Sequence, residues 1–122
     1  MAGRIIKITL TGAPQSTNHI YKSVCRGNRP CVYMTNEGKA LKEKYQWETR
    51  AQYRGELIAN EPLEIWVTLY FANNLRRDWD NWHKISMDAL TGIVWKDDSQ
   101  IVMATITKKI DKKNPRIEIF IT

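Results

Sequence analysis

The stretch Leu63-Glu64-Ile65-Trp66-Val67-Thr68-Leu69-Tyr70-Phe71 decides the fold class. Leu63, Ile65, Val67, Leu69 and Phe71 take every second position, and Glu64, Trp66, Thr68 and Tyr70 take the others. Successive side chains on a strand point to opposite faces, so this pattern predicts a strand with one face in a core, placed centrally in a sheet. On its N-terminal side the spacing predicts a helix over 38–58. Thr35 or Asn36 caps it through a side-chain oxygen that accepts an orphan backbone N–H. Ala40, Trp47, Ala51 and Ile58 fall at helical spacing and predict its inner face; Asn60 and Pro62 end it. Further back, a strand over 4–11 turns Ile6, Ile8 and Leu10 inward. A Gly-, Pro-, Ser- and Asn-rich loop over 12–18 follows, then an unassigned basic stretch over 20–30 and a short strand over 31–34.

On the C-terminal side, 72–77 is polar and irregular. A second helix starts at Asp80 or Asn81, carries Trp82, Ile85, Ala89 and Leu90 on one face, and stops at Gly92. Strands over 100–108 and 116–121 close the chain as a hairpin around Lys113-Asn114, with Ile117, Ile119 and Ile121 facing inward. The order is β(β)αβαββ. It predicts an α/β (α+β) fold: a two-layer domain with a mixed β-sheet and two main helices.

A chain of 122 residues fits one domain, 1–122, with a core of its own. Its 43% hydrophobic and 26% charged residues argue against disorder. No apolar run has the length of a membrane span, and residues 1–9 lack the pattern of a signal peptide. We therefore expect a cytoplasmic protein with no membrane partner. Cys25 and Cys31 are read as ordinary thiols. No C-x-x-C pair exists to build a zinc site with His19 and His83. The net charge of +6 and pI of about 9.4 favour a polyanionic partner, because cations that neutralise phosphates release condensed counterions.

One region opposes that charge. Asp78, Asp80, Asp88, Asp97 and Asp98 crowd against only Lys84 and Lys96. In an extended backbone Asp78 and Asp80 would share a face and repel each other unless a cation sat between them. Mg²⁺ takes oxygen ligands, commonly one or two carboxylates with water and phosphate oxygens. Asp97 or Asp98 can supply a further carboxylate from the loop before the next strand. Such a set suits metal-assisted phosphodiester hydrolysis. Lys84, one turn after Asp80, can overhang the same site and meet the phosphate. The structural alternatives are specific. Asp80 can cap its helix, Asp78 can pair with Arg76 or Arg77, Asp97-Asp98 can be turn residues, and Lys84 can pair with Asp88. An EF-hand is excluded, since His83 and Ala89 stand where its loop needs Gly and Glu.

The order Arg77-Asp78-x-Asp80-Asn81-x-x-Lys84, Asp88-Ala89-Leu90, then Trp95-x-Asp97-Asp98-x-Gln100-Ile101 resembles the RusA family of Holliday junction resolvases. The segment Thr35 to Ala40 and the positions Pro14, Ser16 and Asn18 extend the likeness. The resemblance implies a homodimeric, Mg²⁺-dependent endonuclease, with Mn²⁺ as a substitute, that cuts four-way DNA junctions by paired symmetric nicks in recombination and repair. It implies metal-binding and catalytic roles for Asp78, Asp80 and Asp98, a catalytic or DNA-binding role for Lys84, and a less certain role for Asp97. It places Arg77, with Arg76, beside the site. Trp79 and Trp82 stand where the family carries smaller apolar residues, and we expect core or dimer contacts of them rather than base stacking. Lys22, Arg26, Arg29, Lys108, Lys109, Lys112, Lys113 and Arg116 are expected to hold phosphates without reading sequence. Two rival readings are a non-catalytic DNA-binding module and a nuclease for flaps, forks or plain duplex.

Overall fold

The computed structural model describes residues 4–27 and 29–122, without the side chains of residues 24–26 and 30. The expectations for residues 1–3, the Cys25 thiol and the Arg26 side chain lie outside the described set. The elements run β1 (Ile6–Thr11), α1 (Thr17–Ile20), β2 (Tyr21–Arg26), β3 (Arg29–Met34), α2 (Asn36–Gln52), β4 (Leu63–Phe71), α3 (Lys84–Leu90), a 3₁₀ turn (Asp98–Gln100), β5 (Ile101–Ile110) and β6 (Arg116–Ile121). This is the expected α+β domain with a mixed sheet.

The alternating strand is β4, and it lies inside the sheet, whose order is β1-β6-β4-β5. Its inward residues Leu63, Ile65, Val67, Leu69 and Phe71 are all buried. Ile8 and Leu10 of β1 and Ile117, Ile119 and Ile121 of β6 complete the buried face. Tyr45, Ile85, Leu90 and Trp95 cover it from the helical side.

The closing hairpin does not form. β5 pairs parallel with β4, and β6 pairs antiparallel with β4 and with β1. β4 therefore separates the last two strands. The reason is burial: Ile117, Ile119 and Ile121 gain apolar neighbours on both sides only between β1 and β4. The strand expected over 100–108 runs instead from Ile101 to Ile110.

α2 also differs from expectation. It spans Asn36–Gln52 rather than 38–58, with Thr35 as the N-cap accepting from the Gly38 N–H. Ala40, Trp47 and Ala51 are exposed, Trp47 by 66%. The buried stripe is Gly38, Tyr45 and Thr49. Gly38 fixes that rotation, because an added Cβ would meet the Ile20 Cγ2 at 2.7 Å. Ile58 is buried as an extended residue beyond the helix. Its N–H donates to the Val94 carbonyl at 2.9 Å, and its own carbonyl accepts the Lys96 N–H at 3.0 Å.

The loop expected over 12–18 contains the start of α1, capped by Ser16. The unassigned stretch pairs as the β2–β3 hairpin. Among the described residues no helix is long and apolar enough to cross a membrane.

Candidate active site and nucleic-acid interface

β4 ends at Phe71, and an irregular segment returns the chain to α3. Polar bonds shape that segment. Arg77 donates through Nη1 to the carbonyls of Asn73 and Leu75, both at 3.1 Å, and through Nη2 to Asn73 Oδ1 at 2.7 Å. Its guanidinium lies 4.1 Å from the Phe71 ring centroid and 5.6 Å from that of Trp82, a cation held on aromatic faces. The Phe71 and Trp82 rings meet edge to face at 5.2 Å. Lys108 of β5 donates to the Arg77 carbonyl. On the far side, the Thr17 N–H and hydroxyl donate to the Asn81 carbonyl at 2.7 and 3.1 Å. Asp78 and Asp80 thus hang between two fixed points, Arg77 and Asn81.

α3 begins at Lys84, later than expected. Its N-cap is His83, which makes no side-chain cap bond, so Asp80 is not the cap. The backbone turns at Trp79 and Asp80 instead of running extended. Asp78 and Asp80 are exposed, so the same-face argument from extended geometry does not hold. Trp79 is 60% exposed and Trp82 half-buried against the core. Of the core or dimer contacts expected, Trp82 makes the core one, and Trp79 is not in the core.

The second acidic pair divides its work. Asp97 caps the 3₁₀ turn. Its Oδ1 accepts the Ser99 N–H at 3.0 Å while Gln100 Oε1 accepts the Asp97 N–H at 2.9 Å. The backbone bond from Ser99 holds the Asp97 carboxyl below its usual pKa. The turn reading fits Asp97. Asp98, one residue on, faces a different space.

Asp98 shares an open pocket of about 310 Å³ with Asp80, Lys84, Asp88, His83 and Thr17. Three separate pieces of chain supply its charged groups: the turn after β4, the start of α3 and the 3₁₀ turn before β5. Asp78 is not among the lining residues. Among the described residues no three His, Cys, Asp or Glu side chains stand close enough together to hold a metal ion. Of the three carboxylates on the pocket, Asp88 is engaged by Lys84 and Tyr21; Asp80 and Asp98 still fit Mg²⁺, which completes its shell with water and phosphate oxygens. Burial pushes the His83 pKa down, while Asp80 raises it and Lys84 lowers it.

Lys84 pairs with Asp88, Nζ to Oδ2 at 3.5 Å. The same Oδ2 accepts the Tyr21 hydroxyl, and burial together with that bond raises the Tyr21 pKa well above the ordinary phenol range. Sequence reading missed Tyr21 and Thr17 at this site. The available signal was the Ser16–Asn18 loop, whose polar side chains needed partners.

The basic candidates fall into two sets. Arg77 and Lys108 have hydrogen bonds occupied inside the chain. They border, with Lys109 and Asn73, a second opening at the end of β4. Arg76, Lys109, Lys112 and Lys113 are exposed. Arg116 bonds Asp111 and Glu118, each at 2.8 Å, and lies 3.8 Å from the Tyr70 ring centroid; these bonds occupy it within the fold.

The family model described as endodeoxyribonuclease RusA matches residues 12–122. A crossover junction endodeoxyribonuclease RusA of Enterobacteria phage 82 is 32% identical over 110 residues, covering 89% of this chain and 88% of the relative. Its namesake in Shigella sonnei strain Ss046 is 32% identical over 112 residues, with the same coverage. The one in Escherichia coli strain K12 is 31% identical over 110 residues, again with the same coverage. With the model spanning Asp78, Asp80, Lys84 and Asp98 alike, the chain belongs to the RusA endodeoxyribonuclease family.

Proposed function

We propose that this protein is a structure-specific endodeoxyribonuclease that resolves four-way DNA junctions in recombination and repair. The convergence of Asp80, Asp98 and Lys84 on one pocket supports this reading most. Carboxylates that can hold a divalent cation, with an ammonium beside them, suit a scissile phosphate. Asp80 and Asp98 would hold Mg²⁺, or Mn²⁺ in its place; Asp78, exposed and outside the pocket lining, would have to turn toward it to add a third carboxylate. The bound ion supplies charge neutralisation at the phosphate and a more acidic water. Lys84 meets a phosphate oxygen and stabilises charge that develops there. Exposed Arg76, Lys109, Lys112 and Lys113 hold neighbouring phosphates and orient the duplex arms.

Paired nicks require two equivalent sites, and a homodimer provides them. The bare edge of the sheet is the surface we propose for the second copy. β5 leaves Val102 66% and Ile110 52% exposed, and it is the outermost strand. Unpaired strand edges pair readily, and two copies of one edge meet about a two-fold axis.

The test is cleavage of a mobile four-way junction with mapping of both nicks. Asp80→Asn should bind the junction as the parent does and lose Mg²⁺-dependent cleavage by about 100- to 1000-fold, the scale of a lost electrostatic contact at a reacting centre. Equal cleavage by the variant overturns the reading. Wild-type protein that cuts flaps or linear duplex as fast as junctions redirects the substrate. Wild-type protein that cuts no branched DNA with Mg²⁺ or Mn²⁺ is a binding module.

A further inference from the structure

Lys84 is placed against the electrostatics of its own helix. It is the first residue of α3, where the helix dipole disfavours a cation. It precedes Asp88 by four positions, the weaker orientation for a helical ion pair. Neither feature explains why the ammonium is held there. Two contacts do. Its Nζ stands 3.5 Å from Asp88 Oδ2 and 5.2 Å from the centroid of the Tyr21 ring. Tyr21 opens β2, a separate element, and its hydroxyl donates to the same Oδ2. The ring supports the cation while the hydroxyl fixes the carboxylate that pairs with it. A lysine has a flexible four-carbon stem, so an ammonium at a defined point needs such supports. The Lys84 side chain remains 53% exposed, and it borders the pocket of Asp80 and Asp98.

We infer that Tyr21 and Asp88 are positioning residues that hold the Lys84 ammonium over the pocket, so that β2 and α3 together set its place. This rests on the proposed role of Lys84 in cleavage.

Tyr21→Phe keeps the ring and removes the bond to Asp88. Tyr21→Leu removes both. Asp88→Asn removes the charge. Single-turnover junction cleavage should fall about tenfold for Tyr21→Phe and further for Tyr21→Leu, with junction affinity within about twofold, since misplacement of a reacting group costs rate rather than binding. In protein carrying ¹³C-labelled lysine, ring current should shift the Lys84 Cε protons upfield. That shift should persist in Tyr21→Phe and vanish in Tyr21→Leu. If Tyr21→Leu fails to fold, Tyr21→Phe and Asp88→Asn carry the rate test. Lys84→Ala separates the two readings. Full cleavage by Lys84→Ala overturns the role of Lys84 itself. Lost cleavage by Lys84→Ala, with parental rates for Tyr21→Phe and Asp88→Asn, overturns the positioning inference alone.

Discussion

The two edges of the sheet are finished differently. On β1, the side chains of α2 occupy the free backbone groups. The Thr9 N–H donates to Gln52 Oε1, and Gln52 Nε2 donates to the Thr9 carbonyl, both at 2.7 Å. Glu48 accepts from the Thr11 N–H and hydroxyl, and Lys44 donates to the Thr11 carbonyl. On β5, among the described residues, the backbone pairs only with β4. Ile101 and Ile106 pack against the core, but Val102 and Ile110 stay exposed. Native sheets blunt or cover edges that must not pair. The edge of β1 is thus closed within the chain, while that of β5 is not, which is why β5 is the surface we propose for a second copy.

The strongest way to break this comparison is to charge the open edge. Val102→Asp should weaken self-association about 100-fold, or about 2.7 kcal/mol, in sedimentation velocity, and leave chemical denaturation of the monomer nearly unchanged. An unaltered dimer would place the interface elsewhere. Uncovering the closed edge is a smaller perturbation. Gln52→Ala removes two backbone bonds and should cost about 1–2 kcal/mol in urea denaturation. A loss on that scale with new aggregation would sharpen the case that α2 guards β1.

The smallest effect lies where the chain leaves the open edge. Arg116 holds the Asp111 carboxyl below its usual pKa. A depressed folded pKa contributes stability above the unfolded value, and that stability disappears as pH falls through the folded one. Asp111→Asn should therefore melt slightly below the parent at pH 7, and the two should converge once pH falls below the depressed folded pKa. A gap that persists at low pH would remove the carboxylate from the account.

Where local pattern and tertiary environment agreed, the fold was legible. β4 and β6 were readable to the residue, because alternation over a buried face is a strong and local signal. The rotation of α2 was not, because it depends on Gly38 meeting Ile20, a contact between elements that spacing within one helix cannot report. The separation of β5 from β6 was equally hidden, since both rank as strands and only the competition for β4 decides their order. At the candidate site, the charge pattern pointed to Asp80, Lys84 and either Asp97 or Asp98, and the family resemblance chose Asp98; spacing alone did not report that Asp80, Lys84 and Asp98 border one pocket. The support from Tyr21 was not readable: it joins positions 67 apart in the chain. Asp78, legible as half of a pair, stands outside the pocket that the pairing argument assigned to it.

The position of β6 also carries a consequence for synthesis. It follows β1 and β4 in the chain, yet it sits between them. A nascent chain exposes β1, β4 and the whole acidic set well before it can finish its sheet. Long-range pairing of this kind folds slowly and leaves apolar strands open in the interval. Vectorial synthesis thus presents the residues of the pocket before the sheet beneath them can be completed, so the site gains its rigid floor only when β6 is inserted.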